Sequence, residues 1–262
     1  MQAMRMDALC RGCRGMFAAS KAATTQMDKV AFGPSIPGFV AGPKGAPGVI
    51  IIQEWWGVTE EVRLHAARIA SNGFRVIIPD LYRGKTSVNA EEASHLMGSL
   101  EFPAAVAEVG LAAKFLKAEG SRKVGVVGFC MGGVLSLGAA ATSDDIACAC
   151  TFYGVNFELF EAAQLKAKPV CGHFGELDTM AGFSDPETAR KLEAMLRAAG
   201  NERASVTIHA GVGHAMMNAS PAPFASFEER SLKLGFPPYN EPTAEAAWTD
   251  TLSFLTRHLV IG

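Results

Sequence analysis

Residues 123–138 read KVGVVGFCMGGVLSLG, and this stretch decides the fold. Its first apolar residues, Val124–Val127, predict a short buried strand, and the small residues from Val134 onward predict a helix. Between them lies a Gly-x-Cys-x-Gly turn centred on Cys130. This is the pattern of a nucleophile elbow, with sulfur in place of the usual serine oxygen. The stretch therefore predicts that Cys130 is a catalytic nucleophile.

The turn requires glycine on both sides of Cys130 for a steric reason. A sharp turn brings the residues two before and two after the nucleophile into near contact, and Gly128 and Gly132 have no Cβ atom to clash there. Two other interpretations stay open, because free cysteines are often buried as small apolar residues and glycine-rich turns also bind phosphate. The glycine spacing, however, matches neither a P-loop nor a dinucleotide-binding fingerprint.

The rest of the chain alternates strands with helices. Apolar runs predict further strands at 49–53, 74–78, 146–153, 168–174 and 205–209. Capping residues and apolar stripes predict helices at 59–72, 103–120 and 185–200 and near the C-terminus, whereas 85–102 and 219–240 show no clear pattern. We therefore expect one α/β domain over residues 27–262, with a mostly parallel central sheet and helices on both faces.

Composition limits the classes of function. The net charge is −2 and no long basic run occurs, so nucleic acid is not an expected partner. No apolar run is long enough to cross a bilayer, so we expect a soluble protein without a membrane partner. Six cysteines in 262 residues are too few for a disulfide scaffold. Cys148, Cys150 and Cys171 fall in apolar strands, where a packing role in a reducing compartment is expected.

The first 26 residues differ from the rest of the chain. They contain four basic residues against a single acid, among Ala, Met, Ser, Thr and Cys. This composition resembles an organelle transit peptide, and a disordered extension is the alternative. We therefore expect a cytoplasmic protein, or a chloroplast or mitochondrial one if the leader is removed. Cys10 and Cys13 lack a second ligand pair nearby, so no zinc site is predicted there.

Four polar residues follow predicted strands, where functional loops of such sheets lie: Glu54, Cys130, Asp178 and His214. His214 is expected to take the proton of the Cys130 thiol, and Asp178 to orient the imidazole. The alternative for Asp178 is a turn cap, and for His214 a core position. Glu54 lies between an isoleucine run and two tryptophans, so a buried carboxylate with a functional partner is expected.

The anionic oxygen formed on attack needs hydrogen-bond donors. The Met131 amide at a helix N-terminus is one candidate, and the Trp55 amide after the first buried strand is the other. The remaining histidines show no convincing metal spacing, and no metal or cofactor is expected.

Several motifs occur together in a specific order: Gln53-Glu54-Trp55-Trp56-Gly57, Pro79-Asp80-Leu81-Tyr82, Gly128-Phe129-Cys130-Met131-Gly132-Gly133, Phe152-Tyr153-Gly154, Gly175-Glu176-Leu177-Asp178 and Gly213-His214-Ala215. Over residues 30–258 the chain resembles the dienelactone hydrolase family of the α/β-hydrolase superfamily. The order nucleophile, acid, histidine is also that of an α/β-hydrolase triad.

The resemblance implies roles for further residues. Glu54 would contact the resting cysteine and move on substrate binding, Tyr153 would lie near the active site, and Arg83 would approximate an arginine that binds the substrate carboxylate. The family proper has serine and arginine where this chain has Ala215 and Asn218, so the substrate-binding position 218 cannot grip a carboxylate as arginine does.

The expected function is hydrolysis of small esters or lactones, of the carboxymethylenebutenolidase type, through a Cys-His-Asp triad and an acyl-enzyme thioester. Thiolate leaves a tetrahedral intermediate more easily than an amine does, which favours esters over peptides. The alternative is a non-catalytic or redox-sensing binding protein that keeps the fold and uses Cys130 as an exposed thiol. The expected partner is a small-molecule substrate, with the chain a monomer or weak homo-oligomer.

Overall fold

The structure is a computed structural model that describes residues 26–261. The leader interpretation therefore falls almost entirely outside the described residues, as do Cys10 and Cys13.

One eight-stranded sheet forms the centre of the described part of the chain. Its strands are β1 (Asp28–Phe32), β2 (Ile36–Ala41), β3 (Gly48–Ile52), β4 (Arg75–Pro79), β5 (Val124–Phe129), β6 (Ile146–Phe152), β7 (Val170–Gly175) and β8 (Ala204–His209). Their spatial order is β1-β2-β4-β3-β5-β6-β7-β8. The six strands β3 to β8 pair in parallel, and β1 and β2 add an antiparallel edge next to β4. The expected mostly parallel sheet is confirmed.

Helices cover both faces of this sheet. They are α1 (Glu60–Ser71), α2 (Ala90–Gly98), α3 (Phe102–Ala118), α4 (Met131–Thr142), α5 (Pro186–Ala198), α6 (Phe227–Leu234) and α7 (Glu241–Leu255), with a 3₁₀ turn at Ala162–Leu165 and a π-helical turn at Thr256–Ile261. Alternate residues of β3 enter different cores: Ile50 belongs to the core that includes Leu135 of α4, and Ile51 to the core that includes Val62 of α1 and Trp248 of α7. The three-layer α/β arrangement is confirmed.

Two segments that showed no clear pattern contain helices. The segment 85–102 holds α2, and 219–240 holds α6. The antiparallel edge was also not predicted, because β2 reads IPGFVA and its Pro37 and Gly38 are residues of turns. The strand forms nevertheless, because Ile36, Gly38 and Val40 turn to the buried side in strict alternation.

Among the described residues no single helix is long and apolar enough to span a membrane, and one pair, α2 with α3, passes by length and composition but is bent by 84°.

Candidate active site

The strand-to-helix turn has the geometry that its glycines require. Cys130 lies between β5 and α4 with φ 54° and ψ −117°, a backbone region that side-chain-bearing residues rarely adopt. A Cβ atom on Gly128 would lie 1.9 Å from the carbonyl oxygen of Gly132. One on Gly132 would lie 2.5 Å from the carbonyl oxygen of Ile52. Only glycine fits at both positions, and the Cys130 side chain is 8% exposed.

The other predicted site residues follow neighbouring strands. Glu54 lies just after β3, Asp178 just after β7, and His214 in the loop after β8. Each of the three is only 4% exposed. Because parallel strands share one carboxyl edge, these residues and Cys130 occupy the same edge of the sheet.

His214 and Asp178 form a buried pair. The imidazole Nδ1 is 2.8 Å from Asp178 Oδ2, and the other carboxylate oxygen accepts a hydrogen bond of 3.0 Å from the Met180 amide. The Ser184 hydroxyl also lies 3.1 Å from the same Nδ1 atom. With Nδ1 directed to Asp178, the second ring nitrogen of His214 is free to serve another group.

The Cys130 sulfur acts on the His214 imidazole through its charge. Burial alone would lower the pKa of His214, but the Cys130 sulfur and the Asp178 carboxylate raise the pKa to about 10. A raised histidine pKa favours the imidazolium form of His214.

Glu54 is held by two hydrogen bonds. The Tyr153 hydroxyl donates to Glu54 Oε1 at 3.3 Å, and Asn218 Nδ2 donates to Oε2 at 2.9 Å. Burial raises the pKa of Glu54, while these bonds and the charges of His214 and Arg230 oppose that rise. The buried carboxylate is thus paired with Tyr153 and Asn218, two residues singled out in the sequence for other roles, and its expected contact with Cys130 stays a prediction.

The two candidate oxyanion donors differ in what surrounds them. Met131 is the first residue of α4, so its N–H belongs to the first turn, where donors have no partner within the helix. The Met131 sulfur lies 3.3 Å from the Tyr82 hydroxyl. Trp55 lies in the turn after β3, and its ring centroid is 4.7 Å from that of Trp56. Both donor roles stay predictions.

Arg83 is engaged elsewhere. Its guanidinium pairs with Glu108 of α3 and also donates to the carbonyl oxygen of Asp80 at 3.0 Å, and its side chain is 46% exposed. A role in substrate binding stays a prediction.

Three residues near the site were not found from the sequence: Ser184, Phe236 and Arg230. The ring of Phe236 covers that of His214 at a centroid distance of 4.8 Å. Arg230 of α6 is 3% exposed, and its Nη2 donates to the carbonyl oxygen of Pro237 at 3.0 Å. Its Nε and Nη1 atoms have no hydrogen-bond partner within residues 26–261. Because α6 lies in a segment without a recognisable pattern, only the structure reveals this cation.

A cavity of about 360 Å³ opens beside Glu54 and Asn218. Trp56, Ser87 and Pro223 also line it, so the wall combines the turn after β3 with the segment that carries α6. Within the described part of the chain, the side chains spaced to hold a metal ion are Cys150, Cys171 and His173, none of which belongs to this site.

Residues 36–259 match the family described as the dienelactone hydrolase family. The chain belongs to this family. Membership in this hydrolase family supports an enzyme that acts on esters or lactones. The α/β-hydrolase fold and the family resemblance expected from the motifs are both confirmed.

Similarity to individual proteins is consistent with this family membership. The chain is 30% identical over 241 residues to "Protein usf" of Aquifex pyrophilus, covering 87% of this chain and 95% of that one. It is 29% identical over 225 residues to the "Putative carboxymethylenebutenolidase" of Salmonella typhimurium, covering 78% and 80%. The crystal structure of a dienelactone hydrolase-like promiscuous phosphotriesterase from metagenomic libraries superposes with a TM-score of 0.72 at 20% identity, covering 89% and 98%, which shows the shared fold.

Proposed function

We propose that this dienelactone hydrolase family member hydrolyses small carboxylic esters or lactones by nucleophilic attack of Cys130, with His214 as base and Asp178 as the residue that orients the imidazole. One observation carries the proposal. Cys130 sits on a strained turn, its sulfur raises the pKa of the His214 imidazole, and Nδ1 of that imidazole is 2.8 Å from the buried Asp178 carboxylate. This is the nucleophile, base and orienter relation of a catalytic triad.

The reaction follows from these roles. The Cys130 thiolate attacks the carbonyl carbon and forms a C–S bond, and the Met131 and Trp55 amides receive the negative oxygen. Collapse breaks the ester C–O bond, and imidazolium of His214 gives its proton to the departing alkoxide or enolate. Water, deprotonated by the neutral imidazole, then attacks the thioester and releases the acid and the Cys130 thiolate.

Glu54 is proposed to act as a gate for this thiolate. The family resemblance implies that the glutamate shifts when substrate binds, and its bonds to Tyr153 and Asn218 are contacts that a bound ligand can exchange. The positive charge of Arg230 lowers the pKa of Glu54, so a ligand anion that neutralises Arg230 would make Glu54 more basic.

Replacement of the nucleophile tests the triad. In Cys130→Ala, hydrolysis of 4-nitrophenyl acetate is expected to fall at least about a thousandfold, because no other group can form the acyl-enzyme. Cys148→Ala is the matched control, since it removes a free thiol that is buried elsewhere in the sheet. Its activity is expected to stay within about threefold of the parent. Undiminished hydrolysis by Cys130→Ala, measured on protein with parental circular dichroism, would remove the proposal.

The carboxymethylenebutenolidase type is proposed for the substrate, which then carries a free carboxylate. Asn218 cannot neutralise that carboxylate, but Arg230 has two buried donors without a partner in the described chain. A buried guanidinium is costly when its donors are unsatisfied. A substrate carboxylate beside Glu54 would satisfy them.

Paired substrates test this assignment. In Arg230→Met, kcat/KM for 4-nitrophenyl hemisuccinate is expected to fall by about thirtyfold, the equivalent of a charged hydrogen bond of about 2 kcal/mol. The value for the uncharged 4-nitrophenyl acetate should change by less than about threefold, and Arg230→Lys should recover part of the loss. Arg83→Met is the control because Arg83 is the other candidate cation. Equal losses on both esters, or a selective loss in Arg83→Met alone, would contradict the role of Arg230.

A further inference from the structure

We infer that Cys150, Cys171 and His173 bind one thiophilic divalent ion of the zinc class inside the sheet, at a site separate from the nucleophile turn. Cys150 lies in β6, and Cys171 and His173 lie in β7. Cys150 and Cys171 are direct neighbours in the parallel ladder, and His173 follows two residues after Cys171. Side chains two residues apart in a strand point to one face, so all three donors converge under α7.

The donor atoms are already at metal-binding spacing. The Sγ atom of Cys171 is 3.3 Å from Nε2 of His173, and the three donor atoms all lie within 4.8 Å of one another. Zinc bonds of about 2.3 Å to sulfur and about 2.0 Å to nitrogen, arranged tetrahedrally, place two sulfurs about 3.8 Å apart and sulfur and nitrogen about 3.5 Å apart. Small side-chain rotations therefore complete the geometry.

A fourth donor borders the cluster. The Thr251 Oγ1 atom of α7 is 3.3 Å from Nε2 of His173 and 3.9 Å from Sγ of Cys150. Its hydroxyl donates to the Ala247 carbonyl oxygen at 2.8 Å, which leaves the oxygen lone pairs available to the cluster. Zinc in proteins is usually four-coordinate, and this oxygen, a weaker ligand than thiolate or imidazole, borders the fourth position.

His209 can fix the tautomer of His173 that a metal ion requires. Nδ1 of His173 lies 3.1 Å from Nε2 of His209, which follows in β8. The Nε2 atom of a neutral His209 ring accepts a hydrogen bond from that position. When Nδ1 of His173 donates to it, the lone pair of Nε2 points to the sulfurs, which is the usual support for a metal-bound imidazole.

Charge explains why a divalent ion fits. His173 and Cys150 are fully buried and Cys171 is 6% exposed, so any net charge there is costly. Two thiolates with a neutral imidazole carry −2, and a divalent thiophilic ion brings the site to zero.

Cobalt and zinc titration tests the site on the full chain. Zinc could also bind the thiols at 10, 13 and 130, so the background protein carries Cys10→Ser, Cys13→Ser and Cys130→Ala. After chelator treatment, we expect one Co²⁺ per chain with thiolate-to-cobalt charge-transfer absorption and tetrahedral ligand-field bands, displaced by one Zn²⁺. Adding Cys171→Ser should weaken Zn²⁺ binding by about a hundredfold or more. Cys148→Ser, the matched control on the same face of β6, should leave binding within about threefold.

Three results would overturn the inference. These are absence of stoichiometric Co²⁺ binding in the background protein, a cobalt spectrum without thiolate bands, and Zn²⁺ affinity that Cys171→Ser leaves unchanged. The first two need no substitution in the cluster, so they stand even if Cys171→Ser fails to fold. Circular dichroism of each variant identifies that case.

Discussion

Replacement of Gly128 by alanine tests the geometry of the nucleophile turn independently of its chemistry. The added Cβ atom would lie 1.9 Å from the oxygen and 2.2 Å from the carbonyl carbon of Gly132, both of them backbone atoms. Cβ atoms in proteins do not approach within 3.0 Å of other atoms, so the two sides of the turn must separate by at least 1.1 Å, the difference from 1.9 Å. That separation moves Cys130 and the Met131 amide relative to His214.

A displacement of about 1 Å at reacting groups costs on the order of a hundredfold in rate. We therefore expect kcat/KM of Gly128→Ala for 4-nitrophenyl acetate to fall by about a hundredfold, with a stability loss of about 1–3 kcal/mol from overpacking. Activity is measured well below the melting temperature, and the folded fraction is checked by circular dichroism.

Gly110→Ala is the matched control. An added Cβ there meets no atom closer than 3.6 Å, in the interior of α3, so the same substitution should leave activity unchanged and raise stability by about 0.5–1 kcal/mol. Folded Gly128→Ala with an activity within threefold of the parent would refute the proposed tight turn.

Two further predictions concern buried ionisable groups. Burial and the Arg68 charge lower the pKa of His65 from 6.5 to about 3. Below pH 6.5 the unfolded chain therefore binds a proton that the folded chain does not bind. At pH 5 this difference in proton binding removes about 2 kcal/mol of folding stability. His65→Phe, which keeps the ring packing against Phe129, should therefore reduce the fall in melting temperature between pH 8 and pH 5, and an unchanged fall would contradict it. In Asp178→Asn, kcat/KM should drop by about a thousandfold because the carboxylate no longer stabilises the imidazolium of His214. Ser184→Ala, which removes the other Nδ1 neighbour, should cost less than about fivefold, and equal losses would argue against Asp178 as the orienting group.

Apolar periodicity predicted the elements that are buried and missed those that are not. The strands β3 to β8 and the helices α1, α3, α4, α5 and α7 all carry apolar residues at the positions that face a core. In α2 only Ala93 is fully buried, so no apolar stripe marks that helix. The sequence does contain its N-cap residue, Asn89, whose side chain accepts a hydrogen bond from the Glu92 amide. A capping residue without an apolar stripe after it is weak evidence for a helix.

The positions of the candidate site residues could be predicted because they depend on chain order and strand ends. Cys130, Asp178 and His214 each follow a predicted strand, and a parallel sheet gathers such residues at one edge. The partners of Glu54 required the structure. Asn218 is 164 residues away in the chain, and nothing in its local sequence indicates which carboxylate it will contact.

Arg230 shows most clearly why apolar periodicity fails to predict some residues of the candidate site. In α6 it is the only fully buried residue, whereas the apolar Leu232 is 89% exposed, so the helix reverses the arrangement on which periodicity depends. Burying a guanidinium with two unsatisfied donors lowers stability, and a sequence selected only for folding would place an apolar residue there. Such a local cost is expected where a ligand completes the interaction. The same reasoning applies to Glu54, whose burial raises its pKa against the charge of Arg230, and it supports the proposal that these two residues face the substrate.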